Sequence, residues 1–366
     1  MKIGIVTFHF VNNFGGALQA YALKTYLEDE LHVDVSVINY ENAFIRFTDA
    51  VRVFPITKNA GAFWAGIKTF SQRINRNKRF KIFREKHLNL TQRFFTNFGL
   101  KRSRLGIDKY ICGSDQIWNP IITGGVDPVY YLDFVKDPQN TCAYAPSFGT
   151  KQISKLFSGK MAKRIGKIGR LSVRERRSCA QIADWTGRTP KDLIDPTFLI
   201  SPEKWGKIAE YQGELPERYI LVYIMQANYS VYEFVSQLKE KYQLKVVDIS
   251  RYGYKPGYVD KTVIGIGPAE FVALFKNAEM VCTNSYHGLA FSLIFGKKMF
   301  LVPSKNFALR MMNLLEILDI DANGLFESDV LTEIQYDYEA VEKLMRKERE
   351  KSFEYLNDFI NGSYED

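Results

Sequence analysis

One histidine of the chain stands where it could move a proton. The run NSYHGLAFSLIFG, residues 284–296, places His287 between a short strand-like segment and an apolar segment with helical character. An imidazole at a strand-to-helix junction could donate to an anion or serve as a general acid and base near neutral pH. Gly288 would let the backbone approach a ligand closely. The alternative is a structural histidine at the start of an apolar helix.

A second candidate is an anion site near the N-terminus. The run HFVNNFGGALQAYAL, residues 9–23, is typical of a strand end, a glycine turn and a helix start. We predict that Gly15 and Gly16 adopt backbone angles closed to other residues, and the N–H groups of a helix start favour phosphate or carboxylate. The run lacks G-x-G-x-x-G and an acidic ribose partner, so it does not predict a dinucleotide site. The alternative is a glycine pair that only turns a strand into a helix.

Polar residues follow two further strand-like runs. In ICGSDQIWNP, residues 111–120, Asp115 could orient or deprotonate an acceptor hydroxyl, and Trp118 could offer a flat face to a sugar. Ordinary turn and packing roles are the alternatives. In LSVRERRSC, residues 171–179, Arg174 could hold a carboxylate or phosphate bidentately. Structural pairing with Glu175 is the alternative, and the local pattern does not separate the two.

The elements that must position these side chains form two α/β series. KIGIVTF, ALQAYALKTYLEDEL and VDVSVINY predict a βαβ opening and hence a parallel sheet. A turn-rich segment, IDPTFLISPEKW, precedes a second series that starts at Tyr219. We therefore predict two α/β domains facing each other across a cleft. The first covers residues 1–200 with a basic helical insertion at about 60–105, and the second covers residues 201–366 with a C-terminal helix.

Composition narrows the class of protein. With 366 residues and 46% apolar content, the chain can bury a large core. Its four cysteines are widely spaced and form no CxxC pair, so we expect reduced thiols rather than a zinc site or a disulfide framework. The longest apolar runs are too short to cross a membrane, and Met1 leads straight into a strand-like run. The expected location is cytoplasmic.

Positive charge is concentrated in one segment. Between Lys68 and Arg104 lie twelve lysines and arginines against Glu85 alone, a net charge of +11 in a chain whose total is +9. Such a segment could lie on an anionic membrane surface or bind a charged polymer, and we expect its arginines, Arg76, Arg79 and Arg84 among them, to make the contact. A solvated helix with a basic outer face is the alternative. Nucleic-acid binding is not expected, because no recognition motif accompanies the charge.

Six runs, taken in order, resemble the polysaccharide pyruvyl transferase family. They are TFHFVNNFGGALQAYAL, ICGSDQIWNP, YAPSFG, LSVRE, DPTFLI and NSYHGLAFSLIFGKKMF, within residues 1–320. The resemblance implies two Rossmann-like domains similar to the GT-B glycosyltransferase architecture. It also implies phosphoenolpyruvate as the donor and co-substrate, a hydroxyl pair of a glycan or lipid-linked oligosaccharide as the acceptor, and no metal or other cofactor.

The histidine motif departs from one common form of the family. Members often carry Arg-Leu-His-Gly, and the arginine there is associated with donor binding, whereas this chain has Ser285-Tyr286-His287-Gly288. A related branch has Ser-Phe-His-Gly and tends to keep an arginine at the position of Arg310, which we expect to supply the missing charge. The resemblance thus predicts His287 and Asp115 as catalytic residues. The predicted donor-binding residues are Gly15, Gly16, Arg174, Ser285, Gly288 and Arg310, and the predicted acceptor-binding residues are His9, Asn13, Gln116 and Trp118.

Two other functions are compatible with the same runs. A GT-B-type glycosyltransferase that uses a nucleotide sugar would share the two-domain cleft and the anion-binding helix start. A non-catalytic polysaccharide-assembly protein would keep the fold without activity, and the missing arginine is consistent with that interpretation.

Overall fold

A computed structural model of the protein describes residues 1–53, 60–150, 153–225, 229–249, 257–301, 308–322, 325 and 332–363, with only the backbone for residues 50–53, 60–70, 229, 230, 232 and 308. The chain divides into two compact units. Unit 1 comprises Met1–Phe54, Ile82–Ile200 and Arg346–Asp366, and unit 2 comprises Pro55–Lys81 and Ser201–Met345. The sequence analysis placed the basic insertion in the first domain and the C-terminal helix in the second. Instead, Pro55–Lys81 belongs to unit 2 and Arg346–Asp366 to unit 1.

Unit 1 is built on a parallel sheet with the strand order β2-β1-β3-β4. Strands β5 and β6 form a separate short parallel pair. An isolated parallel β-bridge between Cys142, in β4, and Arg170, just before β5, connects this pair to the main sheet. The strands are β1 Lys2–Val6, β2 Asp34–Val37, β3 Lys109–Cys112, β4 Thr141–Ala143, β5 Ser172–Val173 and β6 Lys191–Asp192. The helices up to this point of the chain are α1 Phe14–Leu31, α2 Ala43–Val53, α3 Ala60–His87, α4 Asn97–Arg102, α5 Pro120–Thr123, α6 Lys155–Ile165 and α7 Arg176–Thr186.

Unit 2 contains a six-stranded sheet with the order β12-β11-β10-β7-β8-β9. Its strands are β7 Tyr219–Tyr223, β8 Lys245–Ile249, β9 Lys261–Val263, β10 Met280–Thr283, β11 Lys298–Leu301 and β12 Thr332–Ile334, and all pair in parallel except β12, which is antiparallel to β11. The helices are α8 Pro202–Ile208, α9 Tyr229–Tyr242, α10 Pro268–Asn277, α11 Tyr286–Ile294, α12 Ala308–Ile317 and α13 Tyr338–Asn361.

The order of the strands creates a switch point in each sheet. In unit 1 the chain runs outward from β1 to β2 and then returns to place β3 on the other side of β1. In unit 2 it runs from β7 through β8 to β9 and returns to place β10 on the other side of β7. Open α/β sheets bind ligands beyond the carboxyl ends of the strands at such a switch point. Ligand-binding residues are therefore expected directly after β1 and β3 in unit 1, and directly after β7 and β10 in unit 2.

The alternating pattern of the sequence is confirmed by these elements. The predicted helix that starts near Ala17 is α1, which begins at Phe14 because the side chain of Asn13 caps it by accepting from the N–H of Gly16 at 3.3 Å. The second series begins with β7 at Tyr219, as predicted. Within the described part of the chain, no helix is both long enough and apolar enough to cross a membrane.

Candidate functional site

A buried hydrogen-bond network fills the switch point of unit 1. The side chain of Gln19, on the first turns of α1, donates to Thr7 Oγ1 at 2.8 Å and accepts from the N–H of Ser114 at 3.0 Å. Thr7 Oγ1 donates to the carbonyl oxygen of Ser114 at 3.1 Å. These bonds join the chain after β1 to the chain after β3 and to α1. They fix the position of the residue that follows Ser114.

That residue is Asp115, which stands beside the first turn of α1. Its backbone has a φ of 66°, the left-handed region that asparagine and aspartate tolerate best among residues with a side chain. Its Oδ1 accepts from the N–H of Gln116 at 2.8 Å, and its Oδ2 lies 3.4 Å from where a Cβ on Gly16 would be. A carboxylate near a helix N-terminus is favoured by the helix dipole. Asp115 is thus held at the switch point in an uncommon conformation, which is typical of functional positions.

The glycine pair has a different role from the predicted one. Gly15 and Gly16 lie buried in the first turn of α1, and neither is among the glycines with positive φ. A Cβ on Gly16 would be 3.0 Å from the carbonyl oxygen of Phe8, so this glycine allows α1 to pack closely on the chain after β1. Asn13 already accepts from the N–H of Gly16. The prediction of a left-handed glycine turn is wrong, and Asn13 caps the helix.

Two of the predicted acceptor-binding residues belong to the interior of unit 1. His9 is buried, and its ring nitrogens lie 3.2 Å from the carbonyl oxygen of Thr7 and 3.1 Å from Asn39 Oδ1. Burial lowers the pKa of His9, although the bonds to Asn39 and Thr7 oppose the shift. Trp118 is buried as well, and its indole N–H donates to a backbone carbonyl. Neither side chain can contact a sugar as predicted.

The surroundings of Trp118 explain why it is unavailable. Its ring stacks on Tyr131 with a centroid distance of 5.5 Å and an interplanar angle of 1°, and Phe148 lies at 5.9 Å. The packing alternative considered for this residue is therefore the observed one. Gln116 differs because it is only half-buried, and its Oε1 accepts from Asn119 Nδ2 at 3.3 Å. Gln116 remains a predicted acceptor contact.

Arg174 is neutralised inside unit 1. Its side chain is buried, and Nη1 lies 2.7 Å from Oδ2 of Asp195, which is fully buried. Its Nε lies 3.3 Å from Glu175 Oε1, and that oxygen also accepts from Ser147 Oγ at 2.6 Å. Two carboxylates already balance the guanidinium charge, so the alternative of a structural ion pair is the observed one. Donor binding by Arg174 would have to compete with these two carboxylates, and it stays a prediction.

In unit 2, polar residues after β10 fix the start of α11. Thr283 Oγ1 donates to the carbonyl oxygen of Tyr223 at 2.7 Å and accepts from the N–H of Ser285 at 3.1 Å. Asn284 Oδ1 accepts from the N–H of Met225 at 2.7 Å. The chain after β10 is therefore bonded to the chain after β7, across the switch point of this sheet.

His287 lies in the first turn of α11, at the predicted strand-to-helix junction. Its ring is largely buried and meets the ring of Tyr286 edge to face, with centroids 5.2 Å apart. The guanidinium carbon of Arg310, on α12, lies 5.7 Å from the centroid of the same Tyr286 ring. Ser285 is the N-cap residue of α11. Unit 2 thus gathers an imidazole, a guanidinium group and a helix N-terminus around Tyr286, which sequence reasoning did not single out.

Gly288 is required by packing. A Cβ at this position would lie 2.1 Å from Thr283 Oγ1, a distance that real atoms do not show. The glycine therefore lets the first turn of α11 rest against the end of β10. The prediction that it admits a ligand to the backbone is replaced by this helix-to-strand contact.

Sequence reasoning missed three groups at these sheet edges. Gln19 could have been noticed as the one amide in the apolar run ALQAYAL, and Asp195 as the acidic residue of DPTFLI. Asp248, at the carboxyl end of β8, gave no local signal because it follows the ordinary strand run LKVV. Burial raises the pKa of Asp248 from 3.8 to about 7.

Three arginines of the basic segment have contacts within the protein. Arg79 forms an ion pair with Glu270, and Arg84 donates to Asn12 Oδ1 at 3.2 Å. The guanidinium carbon of Arg76 lies 5.2 Å from the centroid of the Phe80 ring on the same helix. The Arg79 side chain is still 41% exposed, and the contact of this segment with an anionic surface stays a prediction.

The described residues offer no cluster of metal ligands. Among the residues that the structure describes, no group of three or more histidine, cysteine, aspartate or glutamate side chains is placed to hold a metal ion. All four cysteines are free thiols, and burial raises the pKa of Cys112, Cys142 and Cys282.

Three solved structures are similar to this chain at low sequence identity. A candidate UDP-N-acetylglucosamine 2-epimerase from Listeria monocytogenes is 10% identical, with 98% of this chain and 96% of that chain covered and a TM-score of 0.50. UDP-GlcNAc 2-epimerase from Methanocaldococcus jannaschii is 12% identical, with coverages of 95% and 99% and a TM-score of 0.47. MurG from Acinetobacter baumannii is 10% identical, with coverages of 99% and 99% and a TM-score of 0.42. The fold is α/β with parallel sheets and is GT-B-like.

Sequence comparison identifies the family. None of the curated proteins compared with the chain matches it. The family model described as polysaccharide pyruvyl transferase matches residues 13–306, which include the first turn of α1, the Asp115 loop and all of α11. This match covers most of the chain and bears out the resemblance of the six runs. The protein belongs to the polysaccharide pyruvyl transferase family.

Proposed function

We propose that the protein transfers a pyruvyl group from phosphoenolpyruvate to two hydroxyls of a sugar in a surface polysaccharide or its lipid-linked precursor. The observation that carries the proposal is the group at the start of α11, where His287 and Arg310 both lie against the ring of Tyr286. His287 and Tyr286 are within the family match, and Arg310 follows just beyond its end. Because phosphoenolpyruvate is an intracellular metabolite, the proposal places the reaction in the cytoplasm.

His287 is the proposed general acid. In its protonated form it delivers a proton to the methylene carbon of phosphoenolpyruvate, which becomes a methyl group, and the adjacent carbon becomes an oxocarbenium-like centre. A first sugar hydroxyl adds to that centre and gives up its proton. A second hydroxyl then gives its proton to the neutral imidazole of His287 and forms a bond to the same carbon, while the bond from that carbon to the phosphate oxygen breaks. The products are a cyclic pyruvate ketal and inorganic phosphate.

Arg310 is the proposed partner of the donor's negative charge. The donor carries a carboxylate and a phosphate, and a guanidinium group can bind either of them through two parallel hydrogen bonds. The N-terminus of α11 adds the positive end of a helix dipole. Ser285 is the N-cap residue there, and its side chain makes no capping bond to the described part of α11, so its hydroxyl is proposed to donate to the same anion.

Asp115 is the proposed base for the acceptor hydroxyl. Its carboxylate is held by the left-handed backbone and by the N–H of Gln116. A carboxylate that accepts the hydroxyl proton as the oxygen attacks would contribute roughly 10²-fold to 10⁴-fold to the rate. Gln116, half-buried beside it, is proposed to bind the same sugar.

The test combines donor binding with turnover. Phosphoenolpyruvate is expected to raise the melting temperature of the wild-type protein, as any ligand that binds only the folded state does. Arg310→Met should abolish that shift, whereas His287→Asn and Asp115→Asn should retain most of it and lose phosphate release with a saccharide panel. His32→Asn is the matched histidine control, because His32 is exposed and ends α1 in a left-handed conformation that asparagine tolerates.

The rival functions predict different results. Stabilisation by uridine diphosphate but not by phosphoenolpyruvate would identify a nucleotide-sugar enzyme and end the proposal. Binding of glycans without turnover of either donor, unaffected by His287→Asn, would identify an assembly protein.

A further inference from the structure

Large apolar side chains are exposed along one part of unit 1. Phe44 and Phe47 lie on α2, Phe95 and Phe98 lie just before and within α4, and Ile121 lies on α5. Phe47, Phe98 and Ile121 are 67%, 61% and 73% exposed. Single exposed apolar residues are ordinary, but several gathered together mark an interaction site.

Direct contacts join the three elements. The Phe44 ring lies so close to Gly124, which ends α5, that an added Cβ there would be 2.4 Å from it. The guanidinium carbon of Arg46 lies 5.6 Å from the centroid of the Phe95 ring. We define the aromatic patch as these five apolar residues with the arginines among them. Its members are Phe44, Arg46, Phe47, Arg93, Phe95, Phe98, Arg102 and Ile121.

The charge of the aromatic patch is positive. Arg46 and Arg93 both pair with the single carboxylate of Glu41, which leaves one of the two positive charges in excess. The guanidinium carbon of Arg102 lies 4.3 Å from the Phe98 ring centroid, and Lys101 beside it is exposed. Phenylalanine rings with cations next to them suit a partner that has an apolar interior under an anionic surface.

We propose that the aromatic patch docks on an anionic phospholipid bilayer. The phenylalanine rings would enter the boundary between headgroups and acyl chains, and the arginines would contact lipid phosphates. A second copy of this chain is a poorer occupant, because a two-fold contact would bring two surfaces of the same net positive charge together. From the basic segment between Lys68 and Arg104, this surface includes Arg93 and Arg102 but not Arg76, Arg79 or Arg84.

The position of the patch also fits a lipid-bearing acceptor. Glu41 and α2 follow the carboxyl end of β2 in the chain. Asp115 and α5 follow the carboxyl end of β3. Because parallel strands end at one edge of the sheet, α2, α5 and Asp115 share that edge. Docking would therefore hold Asp115 at the bilayer. The docking inference itself does not depend on the transfer reaction.

Vesicle sedimentation tests the inference without any substrate. The wild-type protein should bind vesicles of phosphatidylcholine with added phosphatidylglycerol, and added salt should weaken the binding. The double variant F47S/F98S should bind at least about tenfold more weakly because it loses two inserted rings. R93Q/R102Q should lose the preference for phosphatidylglycerol over phosphatidylcholine alone.

The controls separate docking from misfolding and from self-association. Leu156→Ser removes an apolar side chain that is 75% exposed on α6, outside the patch, and should leave binding unchanged. Unchanged melting temperatures show that the variants fold. Equal binding by F47S/F98S and the wild type would overturn the proposal. So would a concentration-dependent dimer that F47S/F98S abolishes, because the occupant would then be a second copy.

Discussion

Each unit has a switch point in a mainly parallel sheet, but the residues around the two switch points are arranged differently. In unit 1, the side chains of Thr7 and Gln19 bond to each other, and both bond to the backbone of Ser114. In unit 2, Thr283 and Asn284 bond the strand ends through the backbone of the neighbouring strand. There, the imidazole and guanidinium side chains are carried on the helices that follow.

The surroundings of one arginine in each unit also differ. Arg174 in unit 1 is buried between Asp195 and Glu175, whereas Arg310 in unit 2 is half-buried against the ring of Tyr286. Arg174 thus has two carboxylate partners inside unit 1, whereas Arg310 belongs to the group at the start of α11 to which the proposed donor chemistry is assigned.

Removal of each arginine should have opposite consequences. Arg174→Met leaves Asp195 buried without its partner, so the free energy of unfolding should fall by about 3–5 kcal/mol. Arg310→Met removes a contact worth about 1 kcal/mol or less, but it should abolish stabilisation by phosphoenolpyruvate. Urea unfolding and melting temperatures with and without the donor measure the two effects. Arg218→Met, which breaks an exposed pair with Glu279, is the control. A stable Arg174→Met variant that no longer binds the donor would reverse the comparison.

The two units should respond to pH in opposite directions. Asp248 in unit 2 keeps its proton up to a pKa of about 7, while the unfolded chain loses it near 3.8, so its contribution to stability falls as the pH rises between these values. At pH values above 7, Asp248→Asn should therefore increase the free energy of unfolding by at most about 4 kcal/mol. The free energy of unfolding of this variant should also depend less on pH. His9 in unit 1 has a lowered pKa, so its contribution falls as the pH drops below 6.5.

The measurement is urea unfolding across that pH range for the wild type, Asp248→Asn and His9→Gln. Asp260→Asn serves as the carboxylate control, because the lysines around Asp260 lower its pKa and its removal should reduce stability at neutral pH. An Asp248→Asn variant whose stability still declines between pH 4 and pH 7 as the wild type's does would contradict the account.

The sequence predicted the elements better than the roles of their residues. The period of apolar residues indicates α1 and the βαβ order directly, and the motif at His287 predicts its junction, because both depend on neighbours in the chain. The role of Arg174 depends on Asp195, twenty-one residues later, and that of Trp118 on Tyr131 and Phe148. Such long-range partners leave no local signal. The same limit hid Asp248, since its pKa follows from burial alone.

Adding a methyl group to a glycine should separate the two helix starts. Gly288→Ala places its Cβ 2.1 Å from Thr283 Oγ1 and should cost about 1–3 kcal/mol of stability through overpacking. Gly16→Ala meets its nearest atom at 3.0 Å, and the better helix propensity of alanine, about 1 kcal/mol, offsets part of the strain. Thermal unfolding of both variants measures the difference. A larger loss for Gly16→Ala would mean that α1 is packed more tightly than α11.

The smallest expected effect concerns the two N-cap residues. Asn13→Ala removes the bond from the Gly16 N–H to the capping side chain and should cost about 1 kcal/mol of stability. Ser285→Ala should change stability by no more than about 0.5 kcal/mol, because the bond from its N–H to Thr283 Oγ1 is made by the backbone and persists. Ser285→Ala should nevertheless weaken the stabilisation by phosphoenolpyruvate, because the substitution removes the hydroxyl that is proposed to bind the donor. Asn13→Ala should leave that stabilisation intact. If the two variants lost equal stability and neither changed donor binding, both residues would be simple helix caps, and the contrast between the units would rest on the arginines alone.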